Sequence, residues 1–170
     1  MLKNKYWGII FTGDFVFGYK SFNADMTNRY GMKFEVGKIY TVPGPIKFGN
    51  NGNGFHMCKN MEDTFRYFDS TNIAVCEVNG FGKNQKYEDE YYGFYDMYAV
   101  EKIEILKLLK RKEILEYMLE LYPERVVRFI QLFKLYDDEI KLFEEKFRNE
   151  SSVIKYIDYY QKGKCDVWTK

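Results

Sequence analysis

His56 is the only histidine in the 170-residue chain, so any imidazole chemistry must run through it. On a strand it would share a face with Cys58, two residues on. A Cys–His nucleophile needs partners that meet from different segments and a thiol of lowered pKa, and nothing near Cys58 in the sequence supplies either. With Cys76, these residues fall short of the four N/S ligands of a structural zinc and contain no CxxC pair. A buried histidine and small cysteines filling an aromatic core are the simpler expectation. Carboxylates cluster at Glu88-Asp89-Glu90, Asp137-Asp138 and Glu144-Glu145. These positions read as a loop, a helix cap and a helix face, so each is more simply a solvated surface. Gly80-Phe81-Gly82-Lys83 and Gly49-Asn50-Asn51-Gly52 lack the P-loop frame and the strand-to-helix dinucleotide fingerprint, and no serine occupies a G-x-S-x-G elbow.

A second class of chemistry is recognition. Tyr87, Tyr91, Tyr92, Phe94, Tyr95 and Tyr98 stand among acidic residues. Exposed tyrosine offers rigid, amphipathic contact area of the kind that binding surfaces use. The plainer alternative is half-buried packing against a sheet. Since no catalytic constellation outweighs it, binding of a protein partner through Tyr87, Tyr91, Tyr92, Phe94 and Tyr95 is the leading expectation.

The bulk numbers bound these readings. A chain of this length builds one core, or one core with an appendage. Sixteen Tyr, 15 Phe and two Trp can fill that core with few aliphatics. Twenty-six basic residues face 25 acidic ones, and up to residue 100 there are 11 of each. Without a concentrated basic face, nucleic acid is an unfavoured partner. Three cysteines make no disulfide framework. The apolar run near the N-terminus is too short for a signal-peptide core, and no stretch approaches the roughly 18 apolar residues of a membrane span. The expectation is an intracellular, reducing environment.

The elements that must position these residues divide near residue 100. Twelve of 13 glycines lie at or before Gly93, after which Leu, Ile, Lys and Glu dominate. That shift predicts a β-rich part followed by a helical one. Strands are expected at 6–11, 15–22, 32–35, 38–42, 54–58 and 73–79, with a short helix from Met61 to Phe68 capped by Asn60. Residues 84–95 read as an exposed loop. Ala99 to Leu106 alternates apolar with charged positions, as a half-buried strand would, or begins the helix that follows. Beyond Leu108 three or four short helices are expected, one entered at Pro123, one capped by Asp137 or Asp138 and one by Ser151. The last eight residues read as a frayed tail.

Four boxes occur in order: Gly18-Tyr19-Lys20, Tyr30 to Tyr40 with Glu35-Val36-Gly37-Lys38, Gly54-Phe55-His56-Met57-Cys58, and Cys76-Glu77-Val78. Their order resembles a family of short uncharacterised domains in phage and giant-virus proteins, across about residues 15–106. The resemblance implies a viral setting, host cytoplasm or virion, and no established activity. In place of the cysteine that such domains often carry before the GFHxC box, this chain has Asn50-Asn51-Gly52-Asn53.

The element order also resembles that of ADP-ribosyltransferase folds. An early strand carries a polar residue, a Gly-aromatic strand leads into a short aromatic helix, and a Glu-Val strand precedes an acidic loop. That resemblance implies that Glu90 or Glu88 stabilises oxocarbenium charge at a ribose, that His56 or Lys20 orients it, and that Tyr67 stacks on nicotinamide. Catalytic candidates are then His56, Tyr67 and Glu90, with Tyr19 and Lys20 as cofactor-binding candidates. The His or Arg that usually opens such sites is replaced here by Tyr19-Lys20, so an inactive relic fits equally.

The sequence therefore predicts an α+β chain: a small twisted, mostly antiparallel sheet over 1–106, a bundle of short helices over 107–162 and a tail over 163–170. Its leading function is a non-catalytic protein-interaction module without cofactor. The alternative is an NAD-binding, ADP-ribosyltransferase-like enzyme or its relic.

Overall fold

The computed structural model describes residues 15–49, 52–68, 71–86 and 97–162. Five strands, β1 (Val16–Asn23), β2 (Ile39–Thr41), β3 (Phe55–Cys58), β4 (Ile73–Lys86) and β5 (Met97–Leu108), precede four helices. These are α1 (Arg111–Leu119), α2 (Pro123–Leu132), α3 (Asp137–Lys146) and α4 (Ser151–Gln161), and a 3₁₀ turn spans Met61–Arg66. The fold is α+β with an antiparallel sheet followed by helices, as expected, but the sheet is not open. Its strands run β2-β5-β3-β1-β4 with a further pairing of β4 to β5, so four of them close into a small barrel and β2 lies outside on β5.

Closure depends on where side chains are missing. A Cβ on Gly18 would meet the Cys58 carbonyl oxygen at 2.4 Å, and one on Gly80 would meet the Met57 sulfur at 2.6 Å. Bare glycine backbone at these two points lets β1 approach β3 and gives Met57 its place inside. Phe22, Phe34, Phe55, Met57, Val78, Val100, Ile103 and Ile105 fill the barrel. Phe34 comes from a loop and not from the strand expected at 32–35, where Lys33 makes only an isolated bridge to Thr27. Its ring lies 4.8 Å from Phe22 and 4.7 Å from Tyr40, so one aromatic plug explains the apolar signal that read as a strand.

Other boundaries moved for identifiable reasons. β4 continues to Lys86 instead of ending near 79, because Gly82 (φ +81°) forms a bulge and not a turn, and the Lys83 N–H donates to Glu101 Oε2 at 2.9 Å. Residues 84–86 therefore belong to a strand. The segment 99–106 is strand, within β5. The short helix is a 3₁₀ turn, and Asn60 reaches the Asp63 carboxylate at 3.4 Å instead of capping the backbone. Pro123 opens α2 as expected. Tyr136 and Glu150 hold the N-cap positions of α3 and α4, one residue ahead of Asp137 and Ser151. Glu139, at the third helical position, accepts from the Tyr136 N–H at 2.8 Å, the bond from the helix back to the N-cap backbone. The strand expected at 6–11 and the tail 163–170 lie outside the described residues.

The helices pack on the outer face of the barrel around a second core. Tyr19, Val75 and Leu109 from the sheet join Met61 and Phe65 from the turn and Met118, Val126, Phe129, Ile130, Phe143 and Ile157 from the helices. Phe129 and Phe133 stack with centroids 4.8 Å apart, and Phe65 meets Phe133 edge-on at 4.9 Å and Phe129 at a tilt at 5.6 Å. Two buried carboxylates on the 3₁₀ turn fasten it to α2: Glu62 pairs with Arg125, and Asp63 with Arg128 at 2.6 Å. Arg111 grips Glu139 with two hydrogen bonds of 2.6 and 2.7 Å between the Phe133 and Tyr136 rings, joining α1 to α3.

Candidate functional site

β1 pairs with β4 along its whole length, from Val16↔Gly80 to Asn23↔Ile73, yet meets β3 at a single register position, Tyr19↔Cys58. Beyond that point the two strands make no further register pair, and the seam of the barrel is bridged by a side chain. Lys20 Nζ donates to the His56 carbonyl oxygen at 2.6 Å and lies 5.5 Å from the Phe22 ring centroid. A cleft of about 200 Å³ occupies this seam. Its walls are Lys20 and Ser21 of β1, the turn Asn28-Arg29-Tyr30, Phe48 and Gly49, His56 of β3, and Thr64, Tyr67 and Phe68 on and after the 3₁₀ turn, with Met97.

Strand alternation separates Tyr19 from Lys20. The Tyr19 ring packs edge-on against Tyr117 at 5.7 Å in the helical core, and its hydroxyl is pushed up to about 12, first by burial and then by Tyr117. Tyr19 borders the cleft from behind, while Lys20 reaches across it. Burial lowers the Lys20 ammonium to about 8; Cys58 opposes that shift and Arg29 adds to it. Among the described residues, no carboxylate pairs with Lys20, and the bonded partner is a neutral carbonyl.

His56 is clamped on both sides. Its ring meets Phe48 edge-on at 4.6 Å, and Nε2 accepts from the Gly49 N–H at 3.2 Å, which places the proton of the neutral ring on Nδ1. Burial, then Lys20 and Arg29, lower it to about 4, so it is uncharged near pH 7. Cys58 is buried, and burial and Asp63 push its thiol well above the ordinary range. It is a closed thiol and no partner for a nucleophilic mechanism. Cys76, raised to about 12 by burial, lies inside the barrel against the Met26 sulfur at 3.6 Å. Tyr67 is 43% exposed and its hydroxyl donates to the Met97 sulfur at 2.7 Å, which sets the ring as one wall of the cleft.

The structure thus brings together four of the five residues singled out for NAD chemistry: Tyr19, Lys20, His56 and Tyr67. Glu90 and the partner-binding set Tyr87, Tyr91, Tyr92, Phe94 and Tyr95 lie outside the described residues. Tyr98, from the same stretch, is a partly buried residue of β5 with Lys86 Nζ 6.0 Å from its ring. Arg29 is the residue that sequence reasoning missed. Its signal was the turn Asn28-Arg29-Tyr30-Gly31, in which Asn28 Oδ1 accepts from the Tyr30 and Met32 N–H groups at 2.9 and 3.0 Å and Gly31 takes φ +80°. Such a turn displays the side chains at its tip. Among the described residues the lining holds no Asp or Glu, and its described side chains are cationic, polar and aromatic. Among the described residues no three His, Cys, Asp or Glu side chains are grouped to hold a metal ion. No helix among them is long and apolar enough to cross a membrane.

The family model described as Domain of unknown function (DUF7666) matches residues 16–116, from β1 into α1. No curated protein and no solved structure matches the chain. The whole cleft lies within the matched residues; α2, with Arg125 and Arg128, lies beyond them.

Proposed function

We propose, for a chain that belongs to this domain family of unknown function, that the seam cleft binds a small anionic ligand carrying a flat ring, the chemistry of a nicotinamide or adenine nucleotide. The observation that carries this reading is the convergence of Lys20, Arg29, His56 and Tyr67 on one cleft whose described lining has no carboxylate. Two cations without a counter-charge among the described residues of the wall favour an anion, and partial exclusion of water strengthens the attraction. Phe48, Tyr67 and Tyr30 offer ring faces and edges to a planar group, while neutral His56 adds a polar edge without further charge. At about 200 Å³ the cleft is smaller than the roughly 300–1,000 Å³ of sites that engulf drug-sized ligands. It fits one ring and one phosphate and leaves the rest of a dinucleotide outside.

Binding without turnover is the function proposed. A transferase needs a carboxylate at the ribose, and the candidate for that role, Glu90, is carried by sequence alone. A protein partner engaged through the tyrosines between 87 and 95 is likewise carried by sequence, as is the viral or phage setting suggested by the ordered boxes.

The test is the melting temperature with millimolar nicotinamide mononucleotide, NAD or ADP-ribose. A ligand at about 100 times its dissociation constant adds roughly 2.7 kcal/mol, several degrees for a chain of this size. The expected result is such a rise for at least one of them, lost in a folded Tyr67→Ala variant. No rise with any of the three contradicts the proposal.

A further inference from the structure

Lysine is seldom buried without a carboxylate. Lys20 is partly buried, lines the cleft, and is bonded at 2.6 Å to the neutral carbonyl of His56. The other cation of the cleft, Arg29, comes from a separate turn and cannot give up its charge. The imidazole is uncharged near pH 7 and already accepts a hydrogen bond from Gly49. Three nitrogen-bearing side chains therefore meet in one small space with divided capacities: a fixed guanidinium, a neutral ring and an amine.

We propose that Lys20 is a nucleophilic amine that forms an imine with an aldehyde or ketone whose anionic group is held by Arg29 and whose ring lies against Tyr67. This inference rests on the cleft reading and narrows its ligand to a carbonyl compound. The unprotonated Nζ adds to the carbonyl carbon, forming a C–N bond as the carbonyl electron pair moves to oxygen. The resulting carbinolamine loses that oxygen as water, whose two hydrogens balance the two that the amine nitrogen gives up, with solvent only relaying protons. The C=N bond replaces C=O, one water leaves and nothing is oxidised or reduced. Desolvation and a neighbouring cation are the two devices that free a lysine amine for this chemistry near neutral pH, and both act on Lys20.

The probe is pyridoxal 5′-phosphate, which joins a ring, a phosphate and an aldehyde. The full chain is incubated with it at pH 7.5, reduced with borohydride, and mapped by peptide mass spectrometry; pyridoxine 5′-phosphate, which has an alcohol for the aldehyde, serves as the unreactive analogue. The expected result is labelling of Lys20 more than about tenfold above the exposed lysines, with a pH midpoint near the value that a desolvated amine takes. Pyridoxine 5′-phosphate protects Lys20 and raises the melting temperature. Label spread over exposed lysines without enrichment at Lys20 overturns the proposal. If the analogue or nicotinamide mononucleotide stabilises the protein while Lys20 stays unlabelled, the amine role fails and the cleft reading survives. If neither binds nor labels, both fail.

Discussion

Lys20 Nζ donates to the backbone carbonyl of His56 at 2.6 Å, across a seam where β1 and β3 share a single register position. A ladder bond could have joined these strands; a cationic side chain does so instead, and the gap it spans is the cleft. The site is thus a consequence of how the barrel closes.

Lys20→Met should leave the fold intact and abolish stabilisation by anionic ligands. Removing a desolvated cation relieves a cost that the carbonyl bond only partly offsets, so the melting temperature without ligand should move by no more than a few degrees. Thermal melts of both proteins, with and without nicotinamide mononucleotide, check this. Collapse of the fold would show that the seam needs the strut.

His56 and Lys20 give opposite ends of the pH scale a defined sign. His56 is lowered from 6.5 to about 4, so between these values the unfolded chain binds more protons and stability falls as the solution is acidified. Lys20 is lowered from 10.5 to about 8, so stability rises with pH across that window. Urea unfolding should therefore show wild type losing ground to His56→Gln below pH 6.5, and gaining on Lys20→Met above pH 8. Parallel curves for each variant and wild type would contradict the assigned shifts.

Glu62 and Arg125 tie the 3₁₀ turn to α2, and Arg125 also bonds Tyr117. Removing one member of a buried pair costs roughly 3–5 kcal/mol, because the other is left uncompensated. Arg125→Ala, which strands the buried Glu62 carboxylate, should approach that cost, and Glu62→Ala should cost less because the Arg125 side chain is 35% exposed. The double variant should fall short of their sum by more than about 1 kcal/mol. Denaturant titrations of the four proteins form the cycle. Additive losses would mean that the pair is not coupled.

Gly18→Ala should destabilise the barrel by about 1–3 kcal/mol, since its Cβ would meet the Cys58 carbonyl at 2.4 Å and push apart the one point where β1 and β3 join. Chemical denaturation measures the cost. Ligand-induced stabilisation should fall with it, because Lys20 and His56 separate.

How much of this was legible in the sequence depended on the range of the interaction that decided each feature. The helices after Pro123 were readable because Val126, Ile130, Phe143 and Ile157 recur at helical spacing and that face is the buried one. Closure of the sheet was not readable, since it rests on β4 pairing with both β1 and β5 through a bulge at Gly82, whose glycine pattern reads locally as a break. For the site, Tyr19, Lys20, His56 and Tyr67 were named, yet the separation of Tyr19 from Lys20 followed only once strand alternation met the helical core. Arg29 escaped because a turn residue carries no periodicity; its place beside Lys20 is set by a long-range fold that no local window contains.

The most direct test is calorimetric titration of nicotinamide mononucleotide into wild type and Arg29→Gln at low and moderate salt. Arg29 is exposed, so the substitution spares the core. The account predicts saturable one-to-one binding to wild type, weakened by salt, and a loss of about tenfold or more in Arg29→Gln, the worth of one charge-assisted contact. Absence of binding to wild type, or equal affinity in the variant at both salt concentrations, would contradict the assignment of the seam cleft as an anion site.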